Sequence, residues 1–152
     1  MKLGEALKLR SDNQRKIEEL RGRAAASAQT QEGTKPPDDA NALIADMERL
    51  FNETTVLIQR INRTNVATRL PEGPLLADAL AQRDAYIALR TALQGIAKAA
   101  SESQQRYMKS EIKVIRTVDA SAILKRADDL SRKHRELDAS IQELNWAVEL
   151  ME

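Results

Sequence analysis

Apolar residues recur along this chain at alternating spacings of three and four, and the pattern is cleanest towards the C-terminus. From Ile123 to Met151, the positions Ile123, Ala127, Leu130, His134, Leu137, Ile141, Leu144 and Val148 line one narrow seam of a long helix. A seam that narrow has to be covered by other helices, and the rest of the chain supplies candidates. Leu3, Ala6, Leu7, Ile17, Leu20 and Ala24 predict a first helix, with Arg10 and Asn13 at seam positions in its middle. Pro36-Pro37 stops any helix, and Asp38 or Asp39 is placed to cap the next one. In that second helix the seam of Leu43, Met47, Leu50, Thr54, Leu57 and Ile61 is broadened by Ile44, Phe51 and Ile58 into the widest apolar face of the chain.

The second helix is read as ending at Asn62-Arg63-Thr64-Asn65, before the breaker Pro71-Glu72-Gly73-Pro74. Pro74 suits the first turn of a third helix that runs to about Ala100, with Arg83, Asp84 and Arg90 among its apolar positions. The β-branched run from Ile112 to Val118 predicts a strand, and Asp119 then caps the last helix. The predicted fold is all-α in the main: one domain over 1–152, an antiparallel up-and-down bundle of long, coiled-coil-like helices joined by shorter loops. That topology brings the excursions at 27–35 and 106–118 to one end, where Ala28 to Glu32 is the weaker strand of a small β element. It brings Asn62, Arg63, Asn65, Arg69, Asn145 and Trp146 together at the other.

Composition narrows the function classes. Charged residues make up 31% of the chain and leave a net charge of +1, a balance that suits a solvated helical surface and argues against a nucleic-acid face. Aromatic residues are 3%, too few for a base-stacking platform. There is no cysteine, which excludes thiol catalysis, thiolate metal sites and disulfides and fits a reducing cytoplasm. No secretory signal opens the chain, and no apolar run approaches the ~18 residues a membrane span requires. The expectation is a cytoplasmic protein without stable membrane insertion.

Candidate chemistry falls in three places. Arg10, Asn13, Arg83, Asp84 and His134 interrupt the seams at similar depths and form a candidate polar layer; Asp84 with Arg10 or Arg83 is the natural ion pair. Such a layer either fixes helix register or holds a small ligand. The amides and guanidinium of Asn62, Arg63 and Asn65, with Arg69, Asn145 and Trp146, either cap carbonyls and plug the bundle end or grip an anionic or protein partner. Lys109, Glu111 and Lys113 mark the solvated face of the predicted strand, or an edge that adds a partner's strand. A di-iron centre fails because His134 is the only histidine and Ser131 stands where the glutamate of a Glu-x-x-His pair belongs. No metal, no cofactor and no catalytic residue is assigned.

Ile61-Asn62-Arg63-Thr64-Asn65 with Ala67-Thr68-Arg69, then Lys109-Ser110-Glu111-Ile112-Lys113, Arg126-Ala127-Asp128-Asp129-Leu130 and Asn145-Trp146 resemble the small bacterial proteins labelled septicolysin-like. The resemblance implies no reaction, cofactor or catalytic residue, and only the family label suggests a membrane-lytic activity. The leading expectation is therefore a non-enzymatic, soluble helical protein, a homo-oligomer that acts by self-association or by binding a protein partner. The alternative is a ligand-binding or enzymatic site in the polar layer.

Overall fold

A computed structural model describes residues 1–71, 73–102 and 114–152. Four helices hold most of them: α1 (Leu3–Ala26), α2 (Ala40–Ala67), α3 (Leu76–Ser101) and α4 (Ala120–Ala147). Two begin at aspartates that do what their position in the sequence implies. Asp39 accepts hydrogen bonds from the backbone of Asn41 at 3.0 Å and Ala42 at 3.2 Å, and Asp119 accepts from Ser121 at 2.9 Å and Ala122 at 3.2 Å. Each cap satisfies amides that the first helical turn leaves without partners. α2 runs further than the sequence suggests, through Asn62–Asn65 to Ala67. That motif therefore lies inside the last turns of the helix, not after them.

The helices pack mainly as two pairs, α1 along α2 and α3 along α4, with much slighter contact between the pairs. Two apolar clusters explain this. One draws on all four helices: Leu3 and Ala6 of α1, Leu57 and Ile61 of α2, Leu76 and Ala79 of α3, Ile141 of α4, with Leu70 and Leu150 beside them. It is the junction of the molecule. The second belongs to α1 and α2 alone and joins Ile17, Leu20 and Ala24 to Leu43 and Leu50. At its far end this pair is fastened by Arg23, whose guanidinium donates to Asp38 at 2.8 and 3.1 Å, and by the Ser27 hydroxyl, which accepts from the Asp38 amide at 3.1 Å.

The expected β element is absent where described. Residues 27–35 form a turn-rich loop, with Gly33 at a φ of 80°, and residues 114–118 form no strand. A β-branched run becomes a strand only when a neighbour completes its backbone hydrogen bonds, and this polar, turning loop offers none. β-type pairing occurs instead at the junction, as two isolated bridges, Lys2 with Glu149 and Arg69 with Leu75. Lys109, Glu111 and Lys113 lie outside the described residues.

The pairwise packing leaves a large surface. The chain exposes 11296 Å², whereas a compact monomer of its 17.0 kDa mass presents about 7,700 Å².

Candidate functional site

The polar residues that interrupt the seams fall into separate hydrogen-bonded groups. Between α1 and α2, the Asn13 amide donates to the Thr54 hydroxyl at 3.1 Å, and that hydroxyl donates to the Leu50 carbonyl at 2.7 Å. Between α3 and α4, Arg83 donates to Asp84 at 2.9 and 3.1 Å and to Asp138 at 3.4 Å. The pairing of Arg83 with Asp84 follows from the sequence. Asp138, one position past the α4 seam residue Leu137, does not announce itself and is the residue that ties the two helices together. Asp84 is largely in water, so its pair with Arg83 contributes little, whereas the half-buried Arg83–Asp138 contact is the more consequential.

Arg10 and Arg90 differ from these. Each buries its Nε with no hydrogen-bond partner among the described residues. Arg90 lies fourteen residues into α3 and half-buried His134 a similar distance from the end of α4, so both sit about 20 Å from the junction. Arg10 and Arg83 lie about 10 Å from it by the same reckoning. Near the deeper level a groove of about 340 Å³ between α3 and α4 is lined by Leu89, Leu93, Lys125, Arg126 and Leu130, with Lys133 adjoining Asp129 at 2.9 Å. Hydrogen bonds from Lys133 and Arg132 hold the Asp129 carboxyl below the usual carboxylate range.

At the junction the chain's two terminal segments clasp each other. The Leu3 amide donates to the Val148 carbonyl at 2.9 Å and the Leu150 amide to the Met1 carbonyl at 2.8 Å. Glu149 accepts from Lys2 at 2.8 Å and from the Met1 amino group at 3.1 Å, and these bonds depress its carboxyl's pKa. Of the sequence motif at this end, the residue that is fully buried is Thr64, not the flanking amides. Its hydroxyl donates to the Arg60 carbonyl at 2.9 Å and accepts the Met151 amide at 3.0 Å, while Arg60 Nε donates to the Met151 carbonyl at 2.9 Å. Asn62 and Arg63 are exposed, Asn65 is half-buried, and Arg69 donates to the Gly73 carbonyl at 3.1 Å within its own loop. Asn145 is buried. Trp146, 57% exposed, lies against Gly4 so closely that a Cβ there would stand 2.9 Å from the indole Cδ2. A residue type this small opposite a lone tryptophan is a cue the sequence carries, but only folded geometry brings the two together.

The remaining feature is apolar. α2 turns Leu43, Leu50, Leu57 and Ile61 inward, yet Ile44 remains 40% exposed and Phe51 51% exposed. Ile87, Leu89 and Ile96 of α3 and Leu124 of α4 are similarly open. Among the described residues no group of three or more His, Asp or Glu side chains is arranged to hold a metal ion, and no helix is long and apolar enough to cross a membrane.

Residues 10–150 match the model of a family of unknown function, DUF6847, and the chain belongs to that family. It is also similar to a solved structure, the crystal structure of a functionally unknown conserved protein from Corynebacterium diphtheriae, with 41% sequence identity, 99% of each chain covered and a TM-score of 0.92. No curated protein matches. These findings overturn the septicolysin-like resemblance: both the family and the solved neighbour are described only as of unknown function, and neither points to that group. The suggestion of membrane lysis falls with it.

Proposed function

We propose that this member of the DUF6847 family is a non-enzymatic helical module that acts by associating with another helical chain through apolar surface its own fold leaves uncovered. The observation that carries the reading is the open side of α2, where Ile44 and Phe51 stand in water beside a fully formed seam. With Ile44 40% and Phe51 51% exposed, burying the remainder of each side chain is worth roughly 0.6–1.5 kcal/mol, a gain that association recovers. The chain also exposes more surface than a compact monomer of its mass, so area remains for a partner to cover. An up-and-down course for the four helices supports the reading, because it leaves one long side of each helix pair free to receive a partner.

Sedimentation velocity across the micromolar range tests this. The expected result is a sedimentation coefficient that rises with concentration; a strict monomer throughout, with no partner recovered by cross-linking in cells, refutes it.

A second reading has an observation of its own. The buried, unpartnered Nε atoms of Arg10 and Arg90 favour small anionic ligands at two separate levels, Arg10 near that of Arg83 and Arg90 near that of His134, in place of the single site expected among Arg10, Arg83, Asp84 and His134. Under that reading inorganic phosphate or citrate raises the unfolding midpoint of the native chain and leaves an Arg10→Met, Arg90→Met variant unmoved. An unchanged native midpoint removes it.

A further inference from the structure

We infer that the groove between α3 and α4 is a docking surface for an acidic amphipathic helix of another protein. The inference rests on the general reading of association, and it places a partner on a face other than the open side of α2.

Shape comes first. Ala79, Gln82, Tyr86, Leu89 and Leu93 form the α3 wall of the groove, at spacings of three, four, three and four residues. Arg126, Leu130, Lys133, Leu137 and Ser140 form the α4 wall, at spacings of four, three, four and three. Lys133 borders both the groove of about 340 Å³ described above and a further one of about 380 Å³ that reaches Pro74, so the two make one channel. Heptad spacing on both walls is what a third helix needs to set its own apolar side chains into holes between them. From Ala79 to Leu93 the channel follows α3 for about 21 Å, close to four helical turns. Leu89 belongs to this wall and is 47% exposed, so a helix laid there covers apolar surface that α4 leaves open.

Charge sets the chemistry of the partner. Residues 85–101 hold Arg90 and Lys98 and no carboxylate, and residues 119–135 hold five cations against Asp119, Asp128 and Asp129. With seven cations against three acids, the two stretches carry a net charge of +4 in a chain whose total is +1, so the remainder is net acidic. The carboxylates that border the groove are already engaged: Arg132 binds both Asp129 and Glu136, and Lys133 binds Asp129 at 2.9 Å. Lys125 and Arg126 line the groove beside Leu89, Leu93 and Leu130 and form no ion pair among the described residues. An apolar stripe edged with carboxylates therefore finds both of its complements there, and the Arg126 guanidinium can take a carboxylate through two parallel N–H bonds. A cationic helix meets repulsion along the same edge. A flat lipid surface does not enter a concave channel.

The probe is a labelled synthetic helix of about 18 residues, leucine at heptad positions a and d and glutamate at e and g; its counterpart carries lysine at e and g. Fluorescence anisotropy is expected to show the glutamate peptide binding the native chain, more weakly as salt rises, and the lysine peptide at least about 10-fold weaker. A Lys125→Glu, Arg126→Glu chain is expected to lose about 10-fold in affinity for the glutamate peptide, and Leu89→Glu to lose as much or more. All three side chains are exposed, so circular dichroism is expected to show the helices intact. Phe51→Glu, on the open side of α2, is expected to bind the peptide as the native chain does. Failure of the native chain to bind, or equal binding of the two peptides, overturns the proposal. A loss confined to Phe51→Glu also overturns it and leaves association through α2 standing. Native chain that pellets with phosphatidylserine vesicles, and ceases to in the Lys125→Glu, Arg126→Glu chain, overturns the helix as occupant in favour of an anionic lipid surface. Sedimentation of the native chain alone reads self-association separately, so the two readings fail independently.

Discussion

Replacing Thr64 by valine isolates the bond that ties the end of the chain to α2. Valine keeps the shape of a side chain with no exposed surface, but it removes the acceptor of the Met151 amide and the donor to the Arg60 carbonyl. The Arg60 carbonyl still accepts its helical amide, so the principal loss is at Met151. One net hydrogen bond is worth about 1 kcal/mol and a partly buried amide left unpaired costs about 1 kcal/mol more, against which the added methyl returns up to about 0.8 kcal/mol. The expected destabilisation is about 1–2 kcal/mol, a fall of roughly 2–8 °C in the unfolding midpoint of a domain this size. Thr64→Ser retains both bonds and loses a buried methyl, so it also destabilises, by about 1 kcal/mol. Stability alone does not separate the two substitutions. Amide hydrogen exchange does: protection of the Met151 amide is expected to collapse in Thr64→Val and persist in Thr64→Ser. An amide equally protected in all three proteins refutes the assignment.

Gly4→Ala pushes a methyl into the indole of Trp146; the lone tryptophan is expected to report a red-shifted emission, with the ~1 kcal/mol gain in helix propensity offset by lost packing, and an unshifted spectrum counts against the contact. Ile141→Ala at the junction is expected to cost about 2–5 kcal/mol and to unfold all four helices together in urea, whereas Leu50→Ala loosens α1 and α2 first, a difference that helix-specific hydrogen exchange reads out. The bond from Arg23 keeps the Asp38 carboxyl below its unfolded value, so the stabilisation it gives is complete above that value, near pH 4, and disappears as pH falls through the folded one; Asp38→Asn is expected to flatten stability against pH in that acidic window and to leave the neutral range unchanged in slope. Arg90→Met, which replaces a buried unpartnered nitrogen by apolar atoms, is expected to hold or raise the urea midpoint, and a clear fall shows that the guanidinium is satisfied in solution.

What the sequence made legible is what depends on local repetition. The seams of α1, α2 and α4, the aspartate caps at Asp39 and Asp119, and the surplus breadth of the α2 face all follow from spacing within one helix. Contacts between distant segments were legible only in part. Asn62 and Arg63 drew attention as amide and guanidinium chemistry, yet the fold buries their neighbour Thr64, because which side of the last turn faces inward depends on where residues 148–151 return. The run at 112–118 predicts a strand by its β-branched composition, yet its described part, 114–118, has no neighbouring strand among the described residues, and composition does not supply one. Arg83 met Asp84, its neighbour in sequence, as anticipated; its bond to Asp138 required the lateral register of α3 on α4.

The clasp between the two terminal segments also governs the order of assembly. α1 and α2 meet through partners close in sequence and can zip together while synthesis continues, but the shared apolar knot takes in both Leu3 and Leu150. It stays unfinished until residue 150 has left the ribosome. Until then Leu3, Ile61 and Leu76 are open to solvent and to other chains, so the interval between early pairing and final closure is the stage at which this protein is most vulnerable to aggregation.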